Sequence, residues 1–268
     1  MHDKNQRTRR NTLASLGSIT LGALAGCTSL GFGQNTTSDA FTKVAIEGTD
    51  LVIELPEETS IDHVNVVQPD GGLFAENEIA TGVQRVTIEI GTSYDPGEYQ
   101  VIGLDNEDVI DQRTLTIEPK LEILDVGLYR NNPDKPWDEV YGGKEAERTK
   151  NAEVFVEVEN TGTGPEVITE LRLSGDIPNS AENYEGNGIY GEKLAIVESG
   201  AVSNIFSDLL PFAIDDGSGM GCRVDGANGE FVVALESGVT GDQITKKFEV
   251  SYSGSDSMSD CNISISPI

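Results

Sequence analysis

Histidine is nearly missing from this chain: there are two in 268 residues, His2 and His63, beside one tryptophan and three cysteines. Structural zinc sites use four Cys and His ligands, and blue-copper centres need two histidines and a cysteine. Past residue 26 only His63 remains, which leaves a zinc site unexpected and excludes a blue-copper centre. The sequence also lacks a Gly-x-Ser-x-Gly elbow, a phosphate-cradling glycine loop and a histidine pair, and no catalytic residue is expected. Positive charge is scarce as well, with 18 basic against 46 acidic residues and a net charge of −28. No basic patch exists to neutralise phosphates, which excludes nucleic acid as a partner. No long hydrophobic run occurs either. The most apolar stretch, residues 13–26, is about fourteen residues long, whereas a spanning helix takes roughly twenty.

That short stretch is nevertheless informative. Arg9 and Arg10 precede it, and it closes on Leu24-Ala25-Gly26-Cys27. A charged start, an apolar middle and a small-residue processing site make an export signal, and a cysteine just after the site is where lipid is attached. Thr8-Arg9-Arg10-Asn11-Thr12-Leu13 resembles the twin-arginine export motif, with Thr12 where that motif prefers an apolar residue. Leu24-Ala25-Gly26-Cys27 resembles the lipobox of lipoproteins. Together they imply a signal peptide over residues 1–26, lipidation at Cys27 and a protein held by membrane lipid on the outer face of the cell membrane.

Removal of residues 1–26 takes away four basic residues and one acidic residue, leaving 14 basic and 45 acidic and a net charge of −31. Such a surface repels itself at low ionic strength and is screened in concentrated salt, where the Debye length falls to about 3 Å at 1 M. With the export motif and lipobox, the composition resembles that of twin-arginine-exported lipoproteins of haloarchaea and implies a cell-surface, high-salt setting. Residues 27–40 form a polar tether reaching at most roughly 45 Å. It contains the sequon Asn35-Thr36-Thr37, with Asn35 a glycan acceptor; a second sequon begins at Asn262. With Cys27 used by lipid, Cys222 and Cys261 are left to pair as one disulfide, closing a loop of about forty residues.

Residues 41–119 read as short alternating runs: Leu51, Ile53 and Leu55; Val64 and Val66; Val86, Ile88 and Ile90; Leu115 and Ile117. Period two over this length means half-buried antiparallel strands, and about seven strands separated by turn residues predict a β-sandwich. Asp95-Pro96-Gly97-Glu98-Tyr99-Gln100-Val101 resembles the turn and sixth strand of immunoglobulin-like and fibronectin-III-like domains. The resemblance implies a tyrosine corner at Tyr99, its hydroxyl reaching back to backbone. Val101 stands where antibody domains carry a cysteine, which implies a disulfide-free core.

Residues 120–268 are also all-β in pattern. Val154, Val156 and Val158 alternate with Phe155, Glu157 and Glu159, and Val167, Leu171 and Leu173 return after Asn160-Thr161-Gly162-Thr163-Gly164-Pro165. This hairpin resembles the adhesion modules of archaeal and bacterial surface proteins, and implies a second, larger immunoglobulin-like sandwich. The expected fold is therefore all-β, two tandem sandwiches. The segments 178–190 and 214–229 are long loops for such a fold and are candidate binding surfaces. Trp137, in the irregular stretch 131–150, is expected to cover one end of the sandwich. Asp105, Asp108, Asp215 and Asp216 place hard oxygen ligands in loops, making calcium the one candidate cofactor; salt adaptation alone also produces such clusters.

The function expected is noncovalent: a surface spacer, adhesion module or accessory of a complex with a protein or glycan partner. The alternatives are a transporter's solute-binding lipoprotein, which would need α/β lobes, or a carbohydrate-active enzyme using two of the many carboxylates.

Overall fold

The computed structural model describes residues 40–128, 153–180, 185–192, 194–208, 210–213, 228–254 and 261–268. The alternating runs of the first half form seven strands: β1 (Lys43–Glu47), β2 (Asp50–Glu54), β3 (His63–Val67), β4 (Leu73–Glu78), β5 (Arg85–Glu89), β6 (Gly97–Asp105) and β7 (Asp108–Ile117). They pair antiparallel into a three-stranded sheet, β1-β2-β5, and a four-stranded sheet, β4-β3-β6-β7. The inward residues Leu51, Ile53, Val64, Val66, Tyr99, Val101 and Ile117 meet in one core. Alternation fails in β2, where Val52 is also buried; β2 is the central strand of its sheet.

The second half contributes eight strands: β8 (Leu121–Leu128), β9 (Val154–Asn160), β10 (Glu166–Gly175), β11 (Ala195–Val197), β12 (Val202–Phe206), β13 (Asn228–Ser237), β14 (Gln243–Ser253) and β15 (Asn262–Pro267). One sheet is β12-β9-β8 and the other β11-β10-β13-β14-β15. Its core is built from Val154, Val156 and Val158 against Leu171, Leu173, Phe231, Val233, Leu235, Phe248 and Val250. The Phe231 and Phe248 rings stack at 5.6 Å, and Phe212 meets Phe231 edge-on at 6.3 Å.

The two halves share one topology. Raising every strand number by seven converts β1-β2-β5 into β8-β9-β12, and β4-β3-β6-β7 into β11-β10-β13-β14; β15 is an addition at the far edge. Each half is an immunoglobulin- or fibronectin-III-like sandwich, in which the chain passes between sheets after the second, fourth and fifth strands.

Two details of the second sandwich bear on function. The register of β8 against β9 shifts between Ile123 and Asp125, and the Lys246 ammonium, on β14 of the opposite sheet, donates to Ile123 O at 2.8 Å and Leu124 O at 2.9 Å. In a chain so poor in bases, this lysine ties two sheets together.

The second detail corrects an expectation. Much of segment 178–190 is not a free binding loop. The Leu171 N–H donates to Asn187 O at 2.7 Å, the Asn179 N–H donates to Pro211 O at 2.9 Å, and Ile189 is buried in the core. The reason is geometric. β11 pairs with β10 only over Glu166–Ile168, so the rest of that edge of β10 has backbone groups to satisfy.

Candidate functional site

Tyr99 stands on β6 with its ring fully buried, and its hydroxyl donates to Asp95 O at 3.0 Å. The Phe74 ring meets it edge-on at 5.8 Å. Burial raises the Tyr99 hydroxyl above the usual tyrosine range. The bond ties the turn before β6 to the core at the corner of the sandwich.

Among the described residues, a densely hydrogen-bonded region lies where the two sandwiches meet. Only three residues, Glu118-Pro119-Lys120, separate β7 from β8, and they are laid along the β9–β10 loop. Thr163 and Gly164 N–H groups donate to Glu118 O at 2.7 and 3.1 Å, and the Thr161 N–H donates to Lys120 O at 2.8 Å. In return the Glu118 N–H donates to Thr163 Oγ1 at 3.1 Å. Asn160, with no exposed surface, closes the arrangement. Its Oδ1 accepts from Lys120 N and Gly162 N, both at 3.0 Å; its Nδ2 donates to Gly164 O at 2.8 Å and Val197 O at 3.0 Å. All the hydrogen-bonding groups of the amide are thereby engaged.

The two cores are also joined directly. Tyr94, in the first core, donates from its hydroxyl to Pro165 O of the second sandwich at 2.9 Å. Burial, with the Glu166 charge adding to it, lifts that hydroxyl far above the ordinary tyrosine range. Glu166 is itself buried, and its Oε1 accepts from the N–H groups of Val167 and Val239, both at 2.8 Å. Val239, so held, packs against the first core. Two glycines permit the close approach: a Cβ on Gly162 would lie 2.3 Å from Glu118 O, and one on Gly164 would lie 2.2 Å from Tyr94 Oη. Both sandwiches fall within one compact unit, Thr37–Ile268.

The remaining candidate residues are dispersed. Asp105 and Asp108 are cross-strand partners flanking the two-residue β6–β7 turn. Asp105 Oδ1 accepts from the Asn106 side-chain amide at 2.8 Å, while the Asn106 backbone N–H donates to both Asp62 oxygens at 3.0 Å. Asn106 takes a left-handed φ of 56°, which asparagine tolerates. The Asp105 and Asp62 carboxylates thus serve the turn. His63 Nδ1 lies 2.8 Å from Asp62 Oδ1, and that bond raises the imidazole above its ordinary value while lowering the Asp62 carboxyl. Among the described residues no group of three or more His, Cys, Asp or Glu side chains could hold a metal ion. Cys261 is buried at the foot of β15. Arg9, Arg10, Cys27, Asn35, Trp137, Asp215, Asp216 and Cys222 lie outside the described residues. No helix among the described residues is long and apolar enough to cross a membrane.

No family model and no curated protein matches the chain. Solved structures similar to it include a two-domain fibronectin type-III segment of chicken tenascin, at 12% identity and a TM-score of 0.24, covering 85% of this chain and 96% of that one. The BSP domain of a biofilm associated protein aligns at 13% identity and a TM-score of 0.24, over 75% of this chain and 28% of that one. A β-glucuronidase from glycoside hydrolase family 2 aligns at 10% identity and a TM-score of 0.21, over 76% of this chain. This chain spans 18% of that enzyme's length. At such TM-scores the fold rests on the strand order and the two cores.

Proposed function

We propose that this protein is exported, lipid-anchored through Cys27 on the outer membrane face in high salt, and acts there by noncovalent contact, without catalysis. In this reading its tandem sandwiches are a stiff spacer or adhesion unit, or an accessory of a surface complex with a protein or glycan partner. The observation that carries the reading is the junction: a three-residue linker hydrogen-bonded along its length to the Asn160–Glu166 loop, with Tyr94 and Val239 crossing between cores. Such a joint transmits position, which a presenting or spacing module requires. The Cys222–Cys261 bridge belongs to the same proposal, supported by the burial of Cys261. A solute-binding lipoprotein of the α/β type is disfavoured, because the described residues contain no α-helix.

The test is covalent cross-linking on intact producing cells in native salt, then affinity purification and mass spectrometry, with Cys27→Ser alongside. Expected are one recurring partner at near-equal amounts for the wild type and release of the variant into the medium. Retention of Cys27→Ser on the cells would sink the lipid anchor. Failure to recover any protein or glycan partner would sink the accessory role.

A further inference from the structure

The outer faces of three of the four sheets are charged, in keeping with a chain at −28. On β1-β2-β5 the outward rows carry Lys43, Glu54 and Arg85 at one end and Glu47, Asp50 and Glu89 at the other. On the second sandwich Glu170, Arg172 and Glu236 face outward from one sheet, and Glu157 and Glu159 from the other. The face of β4-β3-β6-β7 is different. Val64, Val66, Tyr99 and Val101 point into the core, so the alternate residues of these strands point out. Strand register lays them in three rows across all four strands, and the body of the face is Val67, Gln100, Ile102, Leu104, Gln112 and Thr114. Leu73 and Val109 stand at opposite corners, 58% and 61% exposed. The acids in those rows are Glu76 and Glu78, both on the edge strand β4, and Glu98 lies one row beyond. Two large apolar side chains left in water on a nearly uncharged face call for a cover on so acidic a surface.

We propose that this face binds the same face of a second copy of the chain, forming a weak two-fold dimer. Charge selects both the occupant and the arrangement. Two copies of so acidic a chain approach closely where acids are fewest, and molar salt screens the rest. The face is also complementary to itself: its acids are confined to β4, and β7 at the opposite edge presents none in these rows. A two-fold axis running along the strands between β3 and β6 places β4 of each copy over β7 of the other and keeps the rows in line. Glu76 then meets the partner's Gln112, whose amide donates one N–H to Gln100 Oε1 at 3.0 Å and has a second to give. Ile102 meets the partner's Asn65, and Glu78 the partner's Val109. An axis across the strands would instead set Glu76 against the partner's Glu76, which like charge opposes. Four strands about 4.8 Å apart and three rows about 6.8 Å apart make a flat patch of roughly 400 Å² per copy. The pair therefore falls below the roughly 1,200 Å² of a stable interface, in the class of weak and reversible contacts. The dimer requires neither export nor the lipid anchor.

Sedimentation equilibrium of the full chain in molar potassium chloride, over a wide range of protein concentration, is the test. A reversible monomer–dimer equilibrium is expected, weakening as salt is lowered. Val109→Glu and Gln112→Glu each set a carboxylate against an acid of the partner's β4 and should weaken association about tenfold or more. Thr87→Glu, on the outer face of the other sheet, should leave it unchanged. The decisive variant is Gln112→Glu combined with Glu76→Lys, which turns the repulsion into attraction and should restore dimerisation. Within one copy these two positions lie on opposite edges of the sheet, so only contact between copies can produce the rescue. All of these positions are on strand surfaces, and an unchanged melting temperature checks that each variant folds. A chain that stays monomeric at every concentration overturns the proposal, as does association indifferent to Val109→Glu and Gln112→Glu. Weakening without rescue by Glu76→Lys overturns the two-fold arrangement, and with it the argument from charge.

Discussion

Asn160 shows how much one side chain does at the joint. Buried among backbone groups, it accepts from two N–H groups and donates to two carbonyls, and buried groups left without a partner are costly. Truncation to alanine leaves Lys120 N, Gly162 N, Gly164 O and Val197 O short of a partner. Asn160→Ala is therefore expected to destabilise the protein by about 2–4 kcal/mol. Chemical denaturation in high salt measures this, and a change below about 0.5 kcal/mol, the level of an ordinary surface substitution, would show the clamp to be idle. Aspartate is a sharper probe, since it keeps the acceptors but cannot donate, and an intermediate loss is expected. From sequence Asn160 reads as part of an Asn-Thr-Gly turn and no more. The turn is encoded locally by its residue types, but the partners at Lys120 and Val197 lie about forty residues away on either side.

At the scale of elements, strands were the legible part. Period two in Val154-Phe155-Val156-Glu157-Val158 appears as alternating burial in β9, and the runs around Val64, Ile88, Phe231 and Phe248 likewise become strands with one inward face. The side-chain pattern records burial, and burial is what the pleat alternates. What the pattern cannot record is how the edges of a sheet are covered, because that is done by backbone. Segment 178–190, polar and glycine-bearing, has the composition of a free loop, yet Asn187 O serves the edge of β10 and Ile189 fills the core. Deleting residues 178–190 should lower stability by several kcal/mol, since loss of a buried isoleucine alone costs about 2–5 kcal/mol. Thermal unfolding distinguishes this from the outcome for a free loop, a melting temperature nearly unchanged. A deletion that left stability intact would return the segment to the list of binding surfaces.

For the molecule as a whole, what matters is whether two sandwiches of the same strand order behave as one body. A short linker alone would not ensure it, because three residues can still hinge. The hinge is removed by satisfying the linker's backbone along the β9–β10 loop and by seating Tyr94 against Gly164 and Pro165. Gly164 is the place to test this, since a Cβ there would lie 2.2 Å from Tyr94 Oη and 2.7 Å from Ile117 Cγ2. Neither atom is the end of a long flexible chain: Tyr94 and Ile117 are both buried in the first core. Gly164→Ala must therefore push the sandwiches apart, while each core keeps its own residues. The wild type is expected to unfold in one cooperative transition, and Gly164→Ala in two, with the lower one shifted down by several degrees. Small-angle scattering in molar salt should show a larger radius for the variant, and low salt should enlarge it further. The cause of that second effect is charge: at −28 overall, halves no longer held together repel over a distance that grows as screening is removed. A variant that kept a single transition and an unchanged radius would mean that the linker's hydrogen bonds hold the joint without Tyr94.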